Sequence, residues 1–277
     1  MFKRYRPFFK AGAIGFFAYK FNVFSWLIVS CFQILWVIFL WMAVYKNSPD
    51  GVNSIINGFT YKEMIVYVVF INMFSFVTFG GDTLWMINED IKKGTIDIAF
   101  TKPISYRTKF IFQTLGNLFV ACLLFGLPLF AVGYLTFYLI HFIEISSIWV
   151  FLGRLGLFLV AQVIACILFD TINYICGILC FYTSSGWGIN QTKEVVINFL
   201  SGTLLPLAFF PSQISTIINY LPFAGMAYNP ILIIIGKASM LESIHYVGLS
   251  LTWAIVLNLF AKLLFDHASK KITVQGG

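Results

Sequence analysis

Charged residues in this chain are confined to islands, and the stretches between them are as long as a membrane crossing. No Asp, Glu, Lys or Arg occurs from Phe21 to Tyr45, from Met64 to Gly81, or from Phe110 to Ile143. A bilayer core about 30 Å thick is crossed by roughly 20 apolar helical residues. Such stretches recur along all 277 residues, so the pattern predicts an all-α, polytopic integral membrane protein forming a single transmembrane domain over 1–277. Only 10% of residues are charged and 60% are hydrophobic, against about 25% charged in soluble domains. The 32 Phe residues fit lipid-facing helices. The basic N-terminus is not followed by a short apolar core and small-residue cleavage site, so the first span is expected to be retained.

Residues 1–20 mix five Lys/Arg with Phe clusters and predict an amphipathic helix along the inner membrane surface, limited at its start by Pro7. The alternative is a solvated basic tail. Span 1 is expected over Asn22–Tyr45, with Trp36, Trp41 and Tyr45 toward its outer end. Span 2 covers Glu63–Phe79, and Gly80-Gly81 kink or end it. Span 3 starts near Phe110 and reaches Tyr138, long enough to demand tilt or a break near Gly126 and Pro128. Span 4 covers Ile148–Phe181, with Arg154 snorkelling near its outer end. From Val195 to Gly236 there is no charge, yet Pro206, Pro211, Pro222 and Pro230 forbid one straight helix. Span 5 is therefore placed at Glu194–Phe209, followed by short re-entrant helices over 211–236, and span 6 at Ile244–Phe265. Broken backbone at membrane depth requires cover from protein or water.

Six spans put both termini on one side. With the termini cytoplasmic, only Lys46, Lys62, Arg154 and Lys237 of the 18 Lys/Arg fall outside, as the positive-inside rule requires. The net charge of +7 is then topogenic and lipid-directed, and no nucleic-acid surface is implied.

The usual catalytic constellations are missing from the sequence. His141, His245 and His267 form no metal-ligand spacing, and no nucleophile elbow or phosphate-binding loop occurs. No metal site, resident cofactor or catalytic residue is expected. Cys31, Cys122, Cys166, Cys176 and Cys180 all fall in spans and give no disulfide framework; Cys176 and Cys180 share a helix face and read as packing thiols. Asp170 lies deep in span 4, where a carboxylate is expensive. It is either a protonated or hydrogen-bonded structural carboxyl near the inner half of the helix, or a substrate- or ion-sensing group in the bundle interior.

The informative island is the loop over 82–109, whose text NEDIKKGTIDIAFTKPISYRTKF begins at Asn88. Apolar Ile91, Ile96, Ile98, Ala99 and Phe100 are set among Glu89, Asp90, Lys92, Lys93, Asp97 and Lys102. Gly94 can end one turn, and Pro103 blocks helix continuation after Lys102. A compact amphipathic element of this kind is suited to dock a cytosolic partner.

These residues resemble a known family. GTIDIAFTKPIS (Gly94–Ser105) resembles the loop between spans 2 and 3 in permease subunits of type-2 ABC exporters. INFLSGTLLPLAFFP (Ile197–Pro211) resembles that family's fifth span, LPFAGMAYNPILIIIGK (Leu221–Lys237) its re-entrant outer segment, and KKITVQGG (Lys270–Gly277) the end of one bacterial subgroup. Asp170 fits no motif of the family. The resemblance implies a non-catalytic permease without a fused ATPase, in a bacterial cytoplasmic membrane. It would pair with a second permease, identical or homologous, and with two cytosolic ATPase subunits that carry the Mg-ATP. A coupling helix would dock the ATPase through Glu89, Asp90, Ile91, Lys92, Lys93, Gly94, Thr95, Asp97, Lys102 and Pro103. Spans 1, 2 and 5 would line the path, with Asn22, Gln33, Asn72, Ser75, Ser201 and Thr203 as polar candidates and an amphiphilic drug, peptide or lipid as cargo. An ion-coupled secondary transporter and a membrane scaffold or enzyme are the alternatives.

Overall fold

The protein is described by a computed structural model over residues 2–18, 20–96, 104–143, 147–183 and 185–269. All the regular elements among these are helical: α1 (Phe2–Ala18), α2 (Lys20–Lys46), α3 (Tyr61–Thr78), α4 (Thr83–Lys92), α5 (Tyr106–Ala121), α6 (Leu127–Leu139), α7 (Ile148–Leu179), α8 (Gly186–Leu200), α9 (Ser212–Tyr220), α10 (Tyr228–Ile234) and α11 (Met240–Ser269), with short 3-10 turns between some of them. Among the described residues, five helical segments are long and apolar enough to cross a membrane: Ile28–Lys46, Tyr61–Lys92, Tyr106–Leu139, Ile148–Leu179 and Met240–Ser269.

Local chemistry sets the boundaries. α3 starts at a capping box: Thr60 Oγ1 accepts from the Glu63 amide at 3.3 Å, and the Glu63 carboxylate accepts from the Thr60 amide at 2.8 Å. Gly80 and Gly81 separate α3 from α4. The expected break in span 3 is a π-helical turn, Cys122–Gly126, that joins α5 to α6 without ending the rod. Pro128 has no N–H to give to the preceding turn, and the widened turn absorbs that loss. Three boundaries differ from the sequence reading. Pro7 lies inside α1, which runs from Phe2. Helix α4 occupies much of what reads as a loop. And α8 begins at Gly186 rather than near Glu194, because the Gly-Trp-Gly run after Ser185 is helical once the Ser185 side chain accepts from the Gly188 amide at 3.2 Å.

The bundle has two ends. At the first, Tyr45 Oη donates to the Phe59 carbonyl (2.7 Å), Lys62 Nζ to the His141 carbonyl (3.0 Å), and Lys237 pairs with Glu63 (2.9 Å). These contacts gather the α2–α3, α6–α7 and α10–α11 connections. At the second, the Ser105 amide donates to Tyr5 Oη (3.2 Å), and Tyr106 stacks on Phe265 at 5.3 Å. These gather α1, the start of α5 and the last turns of α11. The 15 residues of α8 span about 22 Å, short of a bilayer core. The chain from α8 to α10 therefore returns to the first end in pieces. α10 is buried along its whole length, so its backbone is covered by protein. Its C-terminus is closed by Gly236 (φ +81°), with the Gly236 and Lys237 amides donating back to Ile233 and Leu232.

The centre is aromatic. Phe74 meets Phe158 edge-on at 4.7 Å, Phe70 stacks on Tyr134 at 6.2 Å, and Tyr67 packs on Tyr228 at 6.0 Å. Much of the Phe content is thus core, while Phe32, Phe39, Phe199 and Phe260 remain exposed on the outer faces. Lipid-immersed helices associate by close contact of small residues. α1 and α5 do so at Gly12 and Gly116, where an added Cβ would collide with the Gln113 or the Phe9 backbone carbonyl. Arg154 is half-buried against Gly236, and its Nε is buried without a partner among the described residues.

Candidate functional site

The second end of the bundle holds a corner built from α4 and the start of α5. α4 stops because Gly94 adopts φ +65°, and the Gly94 and Thr95 amides turn back to the Ile91 and Asp90 carbonyls at 3.2 and 3.0 Å. This double closure satisfies the last helical carbonyls and favours glycine at that position. The Asp90 side chain works inward. Its Oδ1 accepts from Thr95 Oγ1 (3.0 Å), its Oδ2 from Tyr106 Oη (2.8 Å), and Lys109 Nζ lies 3.8 Å away. Ile87 and Ile96 are buried in the same cluster, and Ile91 packs against it. What is left facing outward is Glu89, Lys92, Lys93 and Gly94, with Glu89 and Lys93 joined at 2.9 Å while both stay about two-thirds exposed.

Ten residues read from the sequence as one docking set therefore divide. Glu89, Lys92, Lys93 and Gly94 form a surface, whereas Asp90, Ile91 and Thr95 hold the turn together. Asp97, Lys102 and Pro103 lie outside the described residues.

Behind the corner sits a buried polar knot. Asp170, 1% exposed, accepts from Arg107 Nη1 at 2.5 Å, from Thr83 Oγ1 at 2.5 Å and from Thr114 Oγ1 at 2.8 Å. The other arms of the Arg107 fork reach Thr171 Oγ1 (2.8 Å) and Asn258 Oδ1 (2.9 Å), and its guanidinium carbon stands 4.8 Å from the Tyr174 ring centroid. One ion pair thus ties the first turn of α4 to α5, α7 and α11. A buried pair holds only when its remaining lone pairs and protons are also satisfied, as they are here. The helix break above α4 is held in a similar way. Asn117 Nδ2 donates to the Gly80 carbonyl (2.8 Å) and Asn173 Nδ2 to the Gly81 carbonyl (3.4 Å).

A family model described as "ABC-2 family transporter protein" matches residues 31–276. The chain belongs to the ABC-2 transporter family. No curated protein and no solved structure matches it. It is a type-2 ABC permease subunit, a multi-pass membrane component of a kind that is generally non-catalytic and works with ABC ATPase subunits.

In this permease Asp170 is hydrogen-bonded and ion-paired, and the partner that the sequence did not nominate is Arg107. Arg107 reads from sequence as one more topogenic base at the head of span 3. The only signal for the pair is the expense of a lone intramembrane carboxylate, and 63 residues separate the two. Four of the polar candidates for the path bond to nearby residues of their own segments. Asn72 and Ser75 donate to the Val68 and Ile71 carbonyls one turn back, at 2.8 and 2.6 Å. Ser201 is buried beside Thr203, which donates to the Asn198 carbonyl at 2.9 Å. Gln33 is exposed on α2, and Asn22 lies in the first turns of the same helix. All five cysteines are free, and Cys180 Sγ leans on the Cys176 carbonyl at 3.6 Å.

Proposed function

We propose that this permease forms the translocation path of an ABC exporter in a bacterial cytoplasmic membrane, as a homodimer or with a homologous permease, driven by two separate cytosolic ATPase subunits that bind Mg-ATP. The second end of the bundle is cytoplasmic in this reading. Its support is the distribution of bases: Lys92, Lys93, Arg107, Lys109 and the N-terminal cluster are at that end, and Lys46, Lys62 and Lys237 at the other. α8 and the chain that follows it to Phe209 make the sixth crossing, with the 211–236 region re-entering from outside. α1 lies along the inner interface, bolted to α5.

The observation that carries the proposal is that the exposed Glu89–Gly94 turn is mechanically continuous with the core. Asp90 fastens the turn to Tyr106 at the head of α5, and Thr83 fastens the start of α4 to Asp170 in α7. A push on the turn by a closing ATPase pair would move α4 and the head of α5 as one body, pivoting at Gly80-Gly81 and shifting α7 and α11 through the knot. Amphiphilic cargo would leave between the two permeases, with Asn22, Gln33, Asn72, Ser75, Ser201 and Thr203 available along the facing spans.

The test is purification of the tagged permease from its native membrane with identification of what accompanies it, followed by reversal of Glu89 and Lys93. A stoichiometric ATPase, and reversal that uncouples ATP hydrolysis from transport while leaving the fold intact, are the expected results. Transport that persists without any ATPase would replace this reading with an ion-coupled secondary transporter.

A further inference from the structure

Two of the cations among the described residues, Arg107 and Lys193, are withdrawn from solvent, and they are treated differently. Arg107 touches a carboxylate. Lys193, in the middle of α8, does not. It is 8% exposed, and its Nζ donates to Asn173 Oδ1 at 2.6 Å and to Asn190 Oδ1 at 2.9 Å, with the Phe169 ring centroid 5.2 Å away. An ammonium carries three donors and no acceptor, so two are spent on neutral amides. No carboxylate lies within 4.0 Å of Lys193 among the described residues. Glu194 is one hydrogen bond removed, held by the Asn190 amide at 2.7 Å, and Asp82 acts only at longer range. Withdrawing a charge from water without an ion partner is costly, so a buried cation held only by neutral amides is a signal of a missing anionic partner.

The surroundings indicate what completes the site. Lys193 lines a groove of about 540 Å³ between α7 and α8, whose walls include Ile172, Leu179, Val196, Ile197 and Phe223. Thr183, Ser185 and Thr192 add hydroxyls to an otherwise apolar lining, and Lys193 is a cation there with two of its three donors spent on amides and no carboxylate in contact. Ligand sites of this build take an apolar body and fix it by a few polar contacts.

We propose that the α7–α8 groove binds an anionic amphiphile, with its carboxylate or phosphate oxygen on Lys193 Nζ and its hydrocarbon against Ile172, Val196 and Phe223. The chemistry is shared by an exported cargo and a resident anionic lipid. The cargo alternative rests on the exporter reading above; the binding site itself does not.

The experiment uses the full-length permease in phosphatidylcholine nanodiscs, with 11-(dansylamino)undecanoate and the matching alcohol as probes. The carboxylate is expected to bind about tenfold tighter or more, the margin of one charge-assisted hydrogen bond. Lys193→Gln should abolish the preference and Lys193→Arg should keep it. Val196→Trp, which fills the groove from an exposed position without touching the Asn173 and Asn190 contacts, should weaken both probes, and it carries the test if Lys193→Gln does not insert. Equal affinity of wild type for the two probes, or undiminished carboxylate binding by Val196→Trp, overturns the assignment. Because binding is read without an ATPase, that result would leave the exporter reading standing, whereas a permease that prefers the carboxylate but purifies from its native membrane with no ATPase would keep the site and lose the exporter reading. ATP-driven movement of the carboxylate probe in the reconstituted complex marks the occupant as cargo, and retention marks it as resident lipid; either supports the site.

Discussion

Replacing Arg107 by Met leaves Asp170 buried with hydroxyl partners only. The side chains are 11% and 1% exposed, and their charged atoms are 2.5 Å apart. At an effective dielectric constant of about 20 the Coulomb attraction is roughly 7 kcal/mol. The desolvation of two ions, several kcal/mol each, offsets most of it. The intact pair therefore adds little net stability, but removing one member strands the other, at a cost of about 3–5 kcal/mol. Thr83 and Thr114 still donate to Asp170 and keep the loss toward the lower figure. Asp170→Asn should cost less than Arg107→Met, because the amide oxygen can still accept from both hydroxyls and Arg107 is nearer to solvent. The double variant Arg107→Met/Asp170→Asn should be more stable than the sum of the single losses implies, by about 2 kcal/mol. The assay is reversible unfolding of the permease in mixed dodecyl maltoside and SDS micelles, run as a double-mutant cycle. Additive single losses below about 1 kcal/mol each would refute the knot as a structural element.

Three further outcomes follow from the same geometry. Exchanging the exposed pair, Glu89→Lys with Lys93→Glu, should change stability by no more than about 0.5 kcal/mol while lowering transport-coupled ATP hydrolysis; equal coupling would remove the turn from the docking surface. Gly116→Val puts carbons into the Phe9 backbone and should cost at least about 1–3 kcal/mol, read as faster proteolysis of an undocked α1 in detergent, with Gly15→Ala, which meets open space, as the silent control. Tyr67→Phe leaves the Gly202 carbonyl without its 2.8 Å donor inside the core, for an expected loss of about 1–3 kcal/mol; a thermal unfolding midpoint equal to wild type would show that the 201–203 turn is not held from α3.

What sequence alone determined here is what depends on solvation and on chain-local chemistry. Charge-free stretches longer than a bilayer core are expelled from water wherever they pack, so the long apolar helices over Lys20–Lys46 and Ile148–Leu179 could be read within two residues of their ends. Proline and glycine act on their own backbone, so the distortion before Pro128, the stop at Gly94 and the broken segment around Pro206–Pro230 were also legible. Side-chain roles in the corner were not. Asp90 and Glu89 are adjacent acids on one helix, and only the approach of Tyr106 and Lys109 turns one inward and leaves the other on the surface. Lys193 and Arg107 both read as inner-facing bases. Which of them has a carboxylate, and which faces an apolar groove without one, is settled by helices that meet from positions 20 and 63 residues away. Such pairings are long-range, and no local pattern encodes the distance at which two helices will cross.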